Sequence, residues 1–97
     1  MERAAFVLTV RPGREEAYRL EHTRVWPELV EEARRLGVRN QSVYMTGRTL
    51  FVYMEADSVE DCLRRLSEAP VNLRWEKFMA AFLEPKSVRL PEVFHMD

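Results

Sequence analysis

A single cysteine, Cys62, excludes an internal disulfide. With only 3 glycines in 97 residues there is no glycine-rich loop to cradle a phosphate. Two histidines, His22 and His95, stand far apart and far from Cys62, which gives no metal-ligand spacing. No apolar run approaches the roughly 20 residues a membrane span requires, and no secretory signal is legible. The charges nearly cancel: Lys+Arg 15 against Asp+Glu 16 leaves −1. That balance offers nothing to nucleic acid or to an anionic membrane surface. These absences disfavour zinc- and nucleotide-dependent chemistry. They set the expectation of a cytoplasmic, cofactor-free protein without a bound metal.

What remains suits one domain with one modest core, residues 1–97. The segment "RAAFVLTV" (3–10) reads as a strand ending at the turn "RPGR". Glu15 and Glu16 suit the positive end of a helix dipole, and a helical pattern runs on to Leu36 before Gly37. "SVYM" and "TLFVYMEA" form a hairpin around Gly47. "SVEDCLRRLSEA" opens with Ser58 and Asp61 at capping-box spacing. Pro70 starts another helix, which ends before Pro85, and "EVFHM" reads as a last short strand.

The order β-α-β-β-α-α-β describes an α+β fold, a ferredoxin-like antiparallel sheet with helices on one face. Phe6, Leu8, Val10, Phe51 and Tyr53 are too many large side chains for one helical layer to cover. A second copy of the chain is the expected cover, making a homodimer.

Tyr18, His22 and Trp26 recur at intervals of four, a sloping stripe if the helix is continuous. The stripe can be core. It can also be one wall of a polar pocket, because a buried imidazole and phenol both need hydrogen-bond partners. Pro27 removes a helical hydrogen bond just beyond it, so the helix bends or restarts near His22. Trp75 is either a core anchor or a ring on which a sugar's C–H face stacks. Tyr44 and Tyr53 read as strand packing, and His95 as a strand-edge or interface residue. One histidine, one tyrosine and indoles suit proton transfer, since imidazole titrates at about 6.5. Interconverting the anomers of a pyranose needs little more than that.

The segments "AFVLTVRPGREEAYRLEHTRVWPEL", "LGVRNQSVYM", "LFVYMEAD", "RWEKFM" and "LPEVFHMD" together resemble the L-rhamnose mutarotases. The most specific piece is Tyr18-x3-His22-x3-Trp26-Pro27-Glu28-Leu29. The resemblance implies a dimeric α+β barrel of ferredoxin-like subunits that interconverts L-rhamnopyranose anomers. It places the proton donor on His22 and a sugar-binding tyrosine on Tyr18. Trp26 would support His22 from behind, and Trp75 would give the sugar an apolar face. Two positions depart from the family's pattern. Gln41 stands where it has a substrate-binding tyrosine, and Glu76 where it has the second of two tryptophans. Both are expected substrate contacts, and the substrate is a monosaccharide, L-rhamnose or a related deoxy-sugar. Two other readings stay open: a different cofactor-free enzyme of the barrel class, such as a monooxygenase or another isomerase, and a non-catalytic ligand-binding module.

Overall fold

The computed structural model describes residues 1–96. Strand β1 spans Glu2–Val10, and helix α1 follows over Glu15–Glu21. A 3-10 turn at His22–Arg24 leads to helix α2, Pro27–Arg35. Strands β2 (Val38–Thr46) and β3 (Thr49–Ala56) form the hairpin. Helices α3 (Val59–Leu66) and α4 (Pro70–Met79) precede strand β4, Leu83–Leu90. The sheet order is β2-β3-β1-β4 with every neighbouring pair antiparallel. This is the ferredoxin-like arrangement.

Local chemistry explains most boundaries. Gly47 (φ 55°) opens a two-residue loop between the paired Thr46 and Thr49, and positive φ at the first loop position is the type II′ requirement. Gly37 (φ 110°) turns the chain out of α2 into β2. Ser58 caps α3, its Oγ accepting from the Asp61 N–H at 3.4 Å. That bond is long, so Ser58→Ala is expected to cost about 0.5–1 kcal/mol, toward the low end for caps, measured by urea unfolding.

The helical pattern over 15–36 restarts after His22, as Pro27 led one to expect, and forms two helices. Val25 (ψ 138°) and Trp26 (ψ 124°) are extended, because proline's ring crowds the residue before it out of the helical region. Pro27 then occupies the first turn of α2, where its missing N–H costs nothing.

The last strand also differs from expectation. It is Leu83–Leu90, and the 91–96 segment containing "EVFHM" has no regular structure. The α4 helix stops early, and the Arg11 N–H donates to the Phe82 carbonyl at 2.8 Å, drawing the chain directly onto β1. Pro85 sits inside β4, where the register shifts between the Leu8 and Val10 pairs. An edge strand tolerates a proline at such an irregularity.

Alternation along the strands divides the sheet. Ala4, Phe6, Leu8 and Val10 face the helices and pack in two clusters. One lies under α3, with Val38, Met54, Ala56, Val59 and Cys62. The other lies under α1 and α4, with Tyr18, Leu50, Met79 and Phe82. The helices cover Phe6, Leu8 and Val10, which share the even face of β1, and leave Phe51 and Tyr53 of the five large side chains on the other face. The uncovered face carries the odd positions. Tyr44, Phe51, Val7 and Val88 stand in register across all four strands, and Ser42, Tyr53, Ala5 and Leu90 form the next row. Tyr44, Phe51, Val88 and Leu90 are exposed. Among the described residues no helix is long and apolar enough to cross a membrane.

Candidate active site

Tyr18 lies in the last turn of α1 and His22 follows one turn later, so the i, i+4 relation brings their rings face to face. The centroids are 4.1 Å apart with 26° between planes. Tyr18 is buried, and His22 is half-buried. The chain leaves helical geometry immediately afterwards, so Trp26 does not extend the stripe. It swings onto α4, edge-on to Trp75 at 5.0 Å and stacked with Phe78 at 5.7 Å. Trp75 closes the group by meeting His22 edge-on at 5.6 Å. Tyr18, His22, Trp26 and Trp75 are thus assembled from α1, the break that follows it, and α4.

The imidazole's orientation is set by the backbone. His22 Nδ1 lies 3.2 Å from the Tyr18 carbonyl oxygen. A carbonyl only accepts, so Nδ1 carries the hydrogen and donates it, which leaves the Nε2 lone pair for proton transfer. Burial pulls the His22 pKa below the usual imidazole value, against smaller upward pulls from that hydrogen bond and from the Glu21 carboxylate. At neutral pH the ring is therefore mostly a neutral base. Burial pushes the Tyr18 phenol up to about 12. Tyr18 stays protonated at any working pH, able to donate or accept a hydrogen bond but not to serve as a base.

The other expected contacts are spread around this cluster. Trp75 and Glu76 share the wall of a cavity of about 400 Å³ with Asn72, Lys86 and Ser87. Gln41 lines a separate cavity of about 250 Å³ between α2 and β2, beside Val25 and Leu29. The structure therefore brings Trp75 to His22 directly, and puts Glu76 and Gln41 on two different cavities. Phe78 was not anticipated. It backs both indoles, 5.9 Å from Trp75, and its i, i+3 spacing from Trp75 on α4 was the available signal. Among the described residues no group of three or more His, Cys, Asp or Glu could hold a metal ion.

The cluster gathers one imidazole, one phenol and two indoles. The model of the L-rhamnose mutarotase family matches residues 3–96. The chain belongs to that family. It is accordingly an isomerase, an aldose mutarotase. An L-rhamnose mutarotase from Oceanobacillus iheyensis is 35% identical over the full length of both chains. The crystal structure of an L-rhamnose mutarotase from Formosa agariphila covers all of both chains with a TM-score of 0.86 and 28% identity. A dimeric ferredoxin-like protein from an uncultured marine organism shares the fold at a TM-score of 0.68 and 14% identity, covering 98% of this chain and 96% of its own. The mutarotase family thus spans this chain from β1 to the segment after β4.

Proposed function

We propose that this mutarotase interconverts the α and β pyranose anomers of L-rhamnose, with His22 as the acid–base group. The observation that carries the reading is the His22 ring, held by the Tyr18 carbonyl so that Nε2 is free beside an indole wall. Nε2 takes the proton of the anomeric hydroxyl while the C1–O5 bond breaks, its electron pair going to O5. The imidazolium formed delivers the proton to O5, giving the open-chain aldehyde. Both oxygens are attached to C1, so one nitrogen can serve both. Rotation about C1–C2 presents the other face of the carbonyl, and the same steps in reverse close the ring.

The remaining groups bind and orient. The neutral Tyr18 hydroxyl would hold a sugar hydroxyl, Trp75 would stack on the C–H face, and Trp26 would keep Trp75 in place. Glu76 beside Trp75 would accept from a hydroxyl at the rim, and Gln41 would reach the sugar from β2. The two exposed apolar rows of the sheet support a homodimer closed face to face. The test of function is polarimetry on freshly dissolved crystalline L-rhamnose. The first-order rate should rise in proportion to added protein, and a rate independent of protein would contradict the proposal.

The sign of the His22 shift gives a pH prediction. The neutral ring is the active form, so kcat/KM should fall on the acid side with a midpoint below about 6.5 and stay level above it. Stability follows the same sign. The unfolded chain binds the proton more readily, so this contribution is complete above about 6.5 and is lost as pH falls from there toward the lower folded value. An acid limb centred above the ordinary imidazole value would exclude His22, as placed here, as the titrating base.

A further inference from the structure

The cavity of about 400 Å³ that Trp75 and Glu76 share lies between α4 and β4, with Leu8 and Met79 in its apolar lining. Small-molecule sites span roughly 300–1,000 Å³ and combine an apolar lining with a few polar groups. Trp75 belongs both to this cavity and to the ring cluster, where it meets His22 edge-on.

Four charged side chains line the cavity, and two are already engaged. Glu84 pairs with Arg48 at 3.4 Å, and Arg11 Nε donates to the Ala80 carbonyl at 3.1 Å. The side chains of Glu76 and Lys86 have no hydrogen-bond or ion-pair partner among the described residues. One accepts and the other donates, from facing elements of one cavity, yet they form no ion pair with each other.

Lys86 reaches this wall because β4 is irregular there. Ser87 pairs with Leu8 and shares its helix-facing side, so plain alternation would turn Lys86 to the open face. The register shifts instead. Leu8 pairs with Ser87 but Val10 with Leu83, so four steps along β4 match two along β1. The surplus residues bulge around Pro85, and a bulge re-aims the side chains beside it. Lys86 accordingly lines the cavity together with Ser87.

We propose that this cavity is the subsite for the sugar's C3–C4 diol, with Lys86 donating to one hydroxyl and Glu76 accepting from the other. The inference deepens the mutarotase reading and rests on it. His22 serves C1 and O5. In a pyranose ring C4 lies across from C1, and C3 across from O5. A ring laid on Trp75 with its reacting edge at His22 therefore turns that diol away from His22, toward the cavity. A donor to one oxygen and an acceptor from its neighbour fix the ring's position, and charge-assisted bonds are the stronger kind. The substrate class is an aldopyranose with free hydroxyls at both C3 and C4.

Exchange rates at varied sugar concentration, measured on the full chain by saturation-transfer NMR, decide it. Lys86→Met keeps the aliphatic stem of an exposed residue, so the variant should fold as wild type does. Its KM for L-rhamnose should rise about tenfold with kcat unchanged, the pattern of a lost contact that binds substrate and transition state alike. That penalty should vanish on the 3-deoxy or the 4-deoxy analogue of L-rhamnose, whichever lacks the oxygen Lys86 meets. Glu76→Leu should behave likewise, its penalty vanishing on the other analogue. An unchanged KM, or a penalty persisting on both analogues, in either variant would overturn the subsite and leave the mutarotase reading standing. A folded wild type that accelerates no exchange of L-rhamnose would sink both.

Discussion

His22→Gln should lower the acceleration of anomer exchange by ~10²–10⁴-fold, the range a positioned acid–base group contributes. Glutamine can still donate a hydrogen bond toward the Tyr18 carbonyl, so the helix end keeps its contact. It has no group that titrates near neutrality, so the proton shuttle is gone. Tyr18→Phe is the informative companion. It keeps the ring that stacks on His22 at 4.1 Å and deletes only the hydroxyl. Loss of one hydrogen bond to the sugar should cost about tenfold or less. If the two variants lose equally, His22 is not the principal proton carrier. Saturation-transfer NMR gives both rates, and far-UV circular dichroism verifies the fold of each protein.

The largest stability effect is expected at Leu50. It is fully enclosed, in the cluster that also holds Val10, Tyr18, Met79 and Phe82. Leu50→Ala should cost about 2–5 kcal/mol, the transfer free energy of the lost carbons plus the cavity left behind. Domains of this kind are stable by roughly 5–15 kcal/mol, so a large share would be lost. Met54→Ala in the cluster under α3 should cost a similar amount. The two differ in what they support. Leu50 packs with Tyr18, whose carbonyl orients His22, so exchange per folded molecule should fall more for Leu50→Ala than for Met54→Ala. Urea unfolding and rates normalised to the folded fraction separate the two. Equal normalised rates would show that the core beneath Tyr18 does not tune the site.

The sequence was most legible where one local rule acted alone. A β-branched, apolar run marked β1, Gly47 marked the hairpin of β2 and β3, and Ser58 marked the start of α3. It misled where two rules competed. Pro85 reads as a helix stop, yet it lies in β4, an edge strand that can spare an N–H. The polar run "RNQ" hid the first half of β2, whose side chains there are exposed. The parity of β1 was not legible at all. Phe6, Leu8, Val10, Phe51 and Tyr53 were grouped without a division between faces, whereas the structure puts the first three under the helices and Phe51 and Tyr53 on the open face with Val7 and Tyr44. Only strand pairing decides which parity faces the helices.

The site shows the same division. Tyr18 and His22 were legible because a helical repeat of four places rings on adjacent turns. The path of Trp26 was not, since it depends on two extended residues ahead of Pro27. Its contacts with Trp75 and Phe78 join elements far apart in the chain, which no local spacing reveals. Gln41 and Glu76 sit on separate cavities for the same reason.

The most direct measurement is anomer exchange of L-rhamnose by NMR saturation transfer, run across pH for wild type and His22→Gln together. Wild-type acceleration should be proportional to protein, level above about 6.5 and falling below it, with the variant near the spontaneous rate. Wild-type acceleration that persists in the variant, or none from a folded wild type, would contradict this expectation.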